Sequence, residues 1–308
     1  MRSDRLTGTL ALSALVVLAV ATTGLAMLQT RAAREQVWLA EPIVFSRHRP
    51  PAQALPRVEA QLGYDLQAVG NGYAVPRSFL ASLPPALGEV ERAETRKALF
   101  IRTVLPLILR SNELIGEDRA RLSRLKAKRD SGAAFDRFEE AWLLRLAARY
   151  RIKPNGAPED IGWAALEHRM QPVPPSLAIA QAAIESGWGT SRFAAEGRAI
   201  YGQWLWGDGE GIVPLRRAEG ATHKIRSFDY LIQSVVAYMN NLNRHPAYAD
   251  LRRRRANAAA AGGTVSGLDL TAALAQYSER REAYVDDLQA IITGNRLDRL
   301  DNARLAVR

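Results

Sequence analysis

A chain of 308 residues with 47% hydrophobic and 24% charged residues can bury one ordinary domain and a substantial extra region, which excludes wholesale disorder and a polytopic membrane protein. The formal net charge of +10 favours anionic surroundings without choosing among nucleic acid, lipid headgroups and charged polymers. Zero cysteines exclude disulfides, thiolate zinc sites and a cysteine nucleophile.

From Gly8 to Leu28 no residue is charged, and Leu10, Leu12, Leu15, Val16, Val17, Leu18, Val20 and Leu25 dominate. As a helix this run spans roughly 31 Å, close to the hydrocarbon thickness of a bilayer. It is longer than a signal-peptide core and is read as an uncleaved anchor, residues 1–29, in preference to a removed signal. Arg2 and Arg5 before it and Arg31 and Arg34 after it leave the orientation undecided by charge. Residues 30–89, with the pairs Pro50-Pro51 and Pro84-Pro85, read as a proline-containing stalk.

A helical subdomain is expected over 90–133, where Val104, Leu105, Leu107, Ile108 and Leu109 cluster around Pro106, a residue that should end or kink a helix. A second helix is predicted from Ala134 to Arg151, with Phe135, Phe138, Trp142, Leu146 and Ala147 near helical spacing; Glu139-Glu140 within it read as a solvated face. Asn155 to Asp160 makes a break. Pro174-Pro175-Ser176 then opens a helix that puts Leu177, Ala180 and Ile184 on a buried face and Gln181 and Glu185 on another, until Gly187 and Gly189 stop it. From Tyr201 to Phe228 aromatics, glycines and short apolar pairs predict a small β-hairpin lobe. Helices resume over 230–243 and again from Leu270 to Ile292, separated by the run Arg252 to Arg255, read as a solvated basic patch, and a Gly262-Gly263 linker.

The chemistry lies in Glu185-Ser186-Gly187-Trp188-Gly189-Thr190-Ser191. Cleaving a glycosidic bond needs an acid that still carries its proton near neutral pH. The negative end of its helix and the apolar neighbours Ile184 and Trp188 should disfavour the carboxylate of Glu185, and Trp188 beneath the turn should fix the direction of the acid. His48, His168, His223 and His245 are too far apart for ligand spacing, so no metal and no cofactor are expected; no phosphate-binding glycine loop, nucleophile elbow or nucleic-acid motif is present.

Glu185-Ser186-Gly187-Trp188-Gly189 with Ser191 and Ala194 resembles the glutamate motif of glycoside hydrolase family 73, the endo-β-N-acetylglucosaminidases of bacterial cell walls, within the lysozyme-like superfamily. Ile200-Tyr201-Gly202, Ser227-Phe228 through Tyr238, and Tyr277-Ser278 with Tyr284 extend the resemblance over about 138–295. Gly202-Gln203-Trp204, Val213-Pro214, His245-Pro246-Ala247 and the upstream stretch with Pro106 and Asn112 look most similar to the family's Bax-type members.

The resemblance implies a mainly α, α+β lysozyme-like fold, with a glucosaminidase domain at 134–297 and a tail at 298–308. It implies Glu185 as general acid, Tyr277 as a catalytic tyrosine, and a second carboxylate in the lobe, for which Glu210 and Glu219 are preferred over Asp208 and Asp229. Tyr201, Trp204 and Trp206 are expected to stack on sugar, and Gln203 to bond an N-acetyl group. Where many relatives carry Asn, this chain has Ala199. The implied substrate is peptidoglycan glycan strands, cut after N-acetylglucosamine by an enzyme held at a bacterial inner membrane and facing the periplasm. A muramidase or lytic transglycosylase, and an inactive peptidoglycan-binding scaffold, are the rival readings.

Overall fold

The computed structural model describes residues 42–43, 58, 60, 62–153, 160–215, 217, 220–263 and 265–307. The expected anchor, the stalk up to residue 57 apart from residues 42–43, the break at 155–160 apart from Asp160, and Glu219 lie outside the described residues. Among those described, no helix is long and apolar enough to cross a membrane. Residues from 62 onward belong to one contact unit, Ile43–Arg308.

A short helix α1 (Leu66–Gly70), capped by Asp65, and the buried extended pair β1 (Phe79–Leu80) lead to α2 (Ala93–Asp130), a helix of 38 residues. Contrary to expectation, α2 continues through Pro106. Proline at that position cannot donate to the carbonyl four residues earlier, that of Arg102. The buried Tyr64 supplies the missing bond: its hydroxyl donates to the Arg102 carbonyl at 2.9 Å. With that acceptor satisfied, the apolar run on either side of Pro106 stays in one helix, and Leu99, Phe100, Val104, Leu105, Leu107 and Ile108 are all buried.

After α2 comes α3 (Arg137–Arg149), opened by a capping box in which Asp136 accepts from backbone N–H groups and Glu139 reaches back to the N–H of Asp136. Glu139 also pairs with Lys128 at 2.7 Å, so it closes a helix end. Of the residues read at helical spacing, Leu146 and Ala147 are buried, with Leu143 beside them, while Phe138 is exposed. A short α4 (Trp163–Arg169) follows.

The centre is α5 (Pro175–Ser186), with Pro175 at its first turn. Every residue from Pro175 to Ala183 is buried, on all sides of the helix. The alanines at 178, 180, 182 and 183 let α2, α9 (Gly267–Leu270), α10 (Glu282–Gly294) and the 3-10 turn Leu297–Leu300 approach it closely. Its N-terminus has no local side-chain cap. Asp301 acts in its place from 125 residues away, accepting from the Ser176 N–H at 2.8 Å and the Ser176 hydroxyl at 2.9 Å, and from the Gly267 N–H at 2.8 Å. A carboxylate at this end is also favoured by the helix dipole. Just upstream, the Asn112 amide on α2 makes two hydrogen bonds, 2.8 and 2.9 Å, with the backbone of Val173.

Beyond α5, the short α6 (Arg192–Gly197) leads into a three-stranded antiparallel sheet, β2 (Trp204–Leu205), β3 (Gly211–Ile212) and β4 (Lys224–Arg226), with β4 in the middle. Trp204 faces Ile225 and Ile212 faces Ile225 in register. This is the expected lobe. Next, α7 (Leu231–Arg244) packs along α2, and α8 (Ala249–Ala260) follows a 3-10 turn at Pro246–Tyr248.

Two expectations for the C-terminal half are corrected. In the run Arg252 to Arg255, Arg253 and Arg254 are exposed and pair with Asp250, while Arg252 and Arg255 are buried. Helical phase separates them. Arg252 donates to the carbonyls of Leu242 and His245 at the end of α7, and Arg255 to the Pro172 carbonyl and the Asn243 side chain. The helix expected over 270–292 is interrupted: α9 passes into a 3-10 turn at Thr271–Leu274, and α10 begins only at Glu282, after Arg281 at φ +47°. The interruption places Tyr277 and Tyr284 side by side, rings stacked at 5.7 Å.

Tyr64→Phe leaves the Arg102 carbonyl without a partner inside the core and should cost about 1–3 kcal/mol, read as a loss of several degrees in Tm; an unchanged Tm would remove Tyr64 as the reason α2 survives Pro106. Asp301→Ala, which frees three donors at the start of α5 and α9, should lower stability by a similar amount in urea unfolding and reduce activity in proportion to the folded fraction.

Candidate active site

The turn that follows α5 uses nearly every residue of the glutamate motif. Gly187 is left-handed at φ +57°, and the Trp188 N–H reaches back to the Ala183 carbonyl at 2.8 Å, the bond that closes a Schellman-type helix end. Trp188 and Gly189 also have positive φ, +57° and +81°. A Cβ on Gly189 would stand 2.7 Å from the Leu87 side chain and 3.0 Å from Phe100, so the chain passes against α2 only because glycine has none. The buried Ser186 hydroxyl donates to the Ala182 carbonyl and accepts the Gly189 N–H at 2.8 Å, and Ser191 caps α6. The Trp188 ring meets Phe100 edge-on at 5.8 Å and lies under the Lys97 ammonium at 5.1 Å. Trp188 therefore ties the turn to α2; the expectation that it aims the acid is not met. Within 185–191 the one ionisable group is Glu185.

Tyr284 aims it. Its hydroxyl donates to Oε1 of Glu185 at 3.1 Å. The Gln181 amide nitrogen donates to Tyr284 Oη at 3.0 Å, and Tyr238 donates to the Gln181 carbonyl oxygen at 2.6 Å. Gln181 stands one turn before Glu185 on α5, so both lie on the same helix face. The Tyr238 ring stacks on Tyr201 at 3.8 Å and 3°, and Tyr277 stacks on Tyr284 at 6°. Tyr248 leans against Tyr277 at 5.9 Å. A cage of uncharged tyrosines thus encloses the carboxyl.

Burial pushes the Glu185 carboxyl above the usual carboxylate range, and the Tyr284 hydrogen bond draws it back only in part. Removal from water is the largest cause of the shift. Among the described residues no cation acts on Glu185 to offset that burial. Burial also holds the hydroxyls of Tyr238, Tyr277 and Tyr284 above the ordinary tyrosine value, with the Glu185 charge adding to the effect on the latter two, so these groups remain neutral donors. Beside Oε2 stands Gly202, at φ +60°, where a Cβ would lie 3.4 Å from that oxygen.

The other expected site residues fall into three places. Tyr201 is 2% exposed, its ring covered by Tyr238 and its hydroxyl donating to the Ala178 carbonyl, so it offers no face to a sugar. Gln203 is engaged with Ser234 on α7 through both ends of its amide, at 3.0 and 3.4 Å, and fastens the lobe. Tyr277 joins the cage, its hydroxyl 3.4 Å from the Tyr201 carbonyl. Trp204 and Trp206 are 55% and 65% exposed and 5.4 Å apart, with His223 stacked on Trp204 at 4.5 Å. Glu210, Asp208 and Asp229 are exposed, and none of them is among the groups that act on the ionisation of Glu185. Cavities of about 550 Å³ beside Leu268, Thr271 and Gln289 and of about 500 Å³ beside Arg119, His168 and Gln171 contain no member of the cage.

Sequence reasoning missed Tyr284, Gln181 and Tyr238 as functional groups. The i,i+4 spacing of Gln181 and Glu185 was the available signal for one of them; the tyrosines come from 57 and 103 residues beyond Gln181.

Residues 163–297 match the family model Glucosaminidase, described as mannosyl-glycoprotein endo-beta-N-acetylglucosaminidase. The chain is 32% identical over 218 residues to Protein bax of Escherichia coli (strain K12), covering 71% of this chain and 76% of that one. Among solved structures it is similar to the catalytic domain of the autolysin Auto from Listeria monocytogenes, at 18% identity and a TM-score of 0.33, over 57% of this chain and 97% of that one. With the family model seated on the helix that carries Glu185 and a relative matched over three quarters of its length, the chain belongs to the glucosaminidase family of glycoside hydrolases, family 73.

Proposed function

We propose that the protein is a peptidoglycan hydrolase of lysozyme-like architecture that cleaves the β-1,4 bond after N-acetylglucosamine, with Glu185 as general acid. The observation that carries this reading is a carboxyl raised by burial, faced by tyrosine hydroxyls and by no cation among the described residues, at the end of a buried helix. Such a group keeps its proton to higher pH than a solvated glutamate and can hand it to a leaving sugar oxygen.

The exposed pair Trp204 and Trp206 supports sugar stacking on the lobe, since flat apolar rings pack against the C–H faces of sugars. Glu210 is the proposed partner carboxylate among the described residues; Glu219 holds the same proposed role. The net charge of +10 suits attraction to an anionic wall. The apolar run 8–28 is proposed to hold the enzyme at an inner membrane, facing the periplasm. The family description names endo-beta-N-acetylglucosaminidase, which supports this substrate class over nucleic acid.

Digestion of purified sacculi tests the bond: new N-acetylglucosamine reducing ends are expected, whereas anhydromuramic or N-acetylmuramic ends contradict the assigned bond. Glu185→Gln should lower turnover by about 10²–10⁴-fold without loss of binding to sacculi, and in the wild type kcat should fall as pH rises through the raised value of Glu185.

Linkage gives the same residue a second signature. A carboxyl raised in the folded state adds stability below its unfolded value of about 4.3, and this is lost as pH rises through the folded value. Above that range the ionised, half-buried Glu185 costs stability. Glu185→Gln should therefore gain Tm relative to wild type at pH 8 and not at pH 4; an equal difference at both would show that the carboxyl is not shifted.

A further inference from the structure

The hydrogen bonds around Glu185 have a polarity. Tyr238 is 1% exposed, and the one acceptor its hydroxyl reaches among the described residues is the carbonyl oxygen of Gln181. Its hydrogen must go there, because a buried hydroxyl hydrogen without an acceptor costs about 1–3 kcal/mol. With its oxygen taken, the Gln181 side chain, itself fully buried, presents its N–H to Tyr284 Oη. Tyr284 accepts that N–H, and its own hydrogen is left for Oε1 of Glu185. Neither phenol can swing away: Tyr238 is clamped against Tyr201, whose hydroxyl is committed to Ala178, and Tyr284 against Tyr277. Running the chain in reverse would strand the Tyr238 hydrogen in a place without solvent.

We propose that Tyr238, Gln181 and Tyr284 form a one-way hydrogen-bond chain that reserves Oε1 of Glu185 as an acceptor and confines the acidic proton to Oε2, the oxygen beside Gly202. The inference rests on the reading of Glu185 as general acid. Among the described residues Oε2 takes part in no hydrogen bond, and Gly202, lacking a side chain, leaves it open. A general acid is productive only when its proton is on the oxygen that meets the leaving group. In the step itself the O–H bond at Oε2 breaks, the proton joins the glycosidic oxygen, which keeps the electron pair of the cleaved C–O bond, and the oxocarbenium-like anomeric carbon left behind bonds the oxygen of a water whose proton passes to solvent. Glu185 becomes a carboxylate that already receives the Tyr284 hydrogen, so the chain need not reorganise. Tyr238 and Gln181 are thus positioning residues. They act on proton placement without touching the reacting atoms.

Among the described residues the groups that face the carboxyl are Tyr284 on α10, Tyr277 just before it and Tyr248 after α7, and no described lysine, arginine or histidine joins them. A change in the alkaline limb of kcat therefore reports on Glu185 and its donor.

Tyr238→Phe keeps the stacked ring and deletes only the hydroxyl, freeing Gln181 to turn over and accept the Tyr284 hydrogen. Full-length wild type, Tyr238→Phe, Tyr284→Phe, the double variant and Glu185→Gln are compared on soluble glycan-strand fragments across pH. Expected for Tyr238→Phe is a kcat about tenfold lower, the size of one net hydrogen bond, with KM unchanged within twofold and the alkaline limb moved to higher pH. Tyr284→Phe should move that limb at least as far, and the double variant no further. Should Tyr238→Phe fail to fold, Gln181→Met read against Tyr284→Phe makes the same comparison. A wild-type profile, a loss of kcat with an unmoved limb, or additive shifts in the double variant overturns the chain. Activity retained in Glu185→Gln instead overturns the general-acid reading beneath it.

Discussion

Withdrawing the Glu185 carboxyl from water among tyrosines, with no described cation acting on it, is the constraint on which the candidate site depends. A buried carboxyl is costly to ionise, and the structure retains that cost: the single hydrogen bond from Tyr284 favours the carboxylate without overcoming the loss of solvent. A lysine or arginine beside it would make the group an ordinary carboxylate. None of the lysines and arginines among the described residues acts on its ionisation. Even the buried Arg255, whose own value is lowered to about 9 by burial and by Arg252, donates to a carbonyl and an asparagine and does not act on Glu185.

Holding a carboxyl in that environment requires a rigid platform. The helix α5 is enclosed on all sides, tied at its start by Asp301 and, just upstream, by Asn112, and at its end by a turn in which Ser186, Gly187, Trp188 and Gly189 each satisfy a backbone or packing demand. Four tyrosines from α7, the turn after it, the interrupted segment and α10 then close on the one ionisable group that the turn presents. Acidity, aim and rigidity have a common source in dense packing around one helix.

Much of this was legible in the chain. Pro175 at a first turn, Gly187 and Gly189 at a helix stop, and the aromatic and glycine-rich stretch from Tyr201 to Phe228 each act through their own backbone or nearest neighbours, and the corresponding elements are present. What escaped the sequence was long-range. Pro106 does not end α2 because Tyr64 supplies a hydrogen bond across 38 residues. Tyr284 reaches Glu185 across 99 residues, while Tyr201, expected as a sugar platform, is buried by Tyr238. Adjacent arginines in 252–255 differ in burial because a helix turns about 100° per residue, and composition alone reads them as one patch.

The most direct measurement is an NMR titration of the wild-type enzyme with carbon-13 in its glutamate side-chain carboxyls, the Glu185 resonance being identified by its absence in Glu185→Gln. The account predicts a midpoint clearly above the ordinary glutamate value of about 4.3, rising further in Tyr284→Phe. A midpoint at or below that value would contradict it, because a solvated or cation-paired Glu185 would not hold the proton that the chemistry requires.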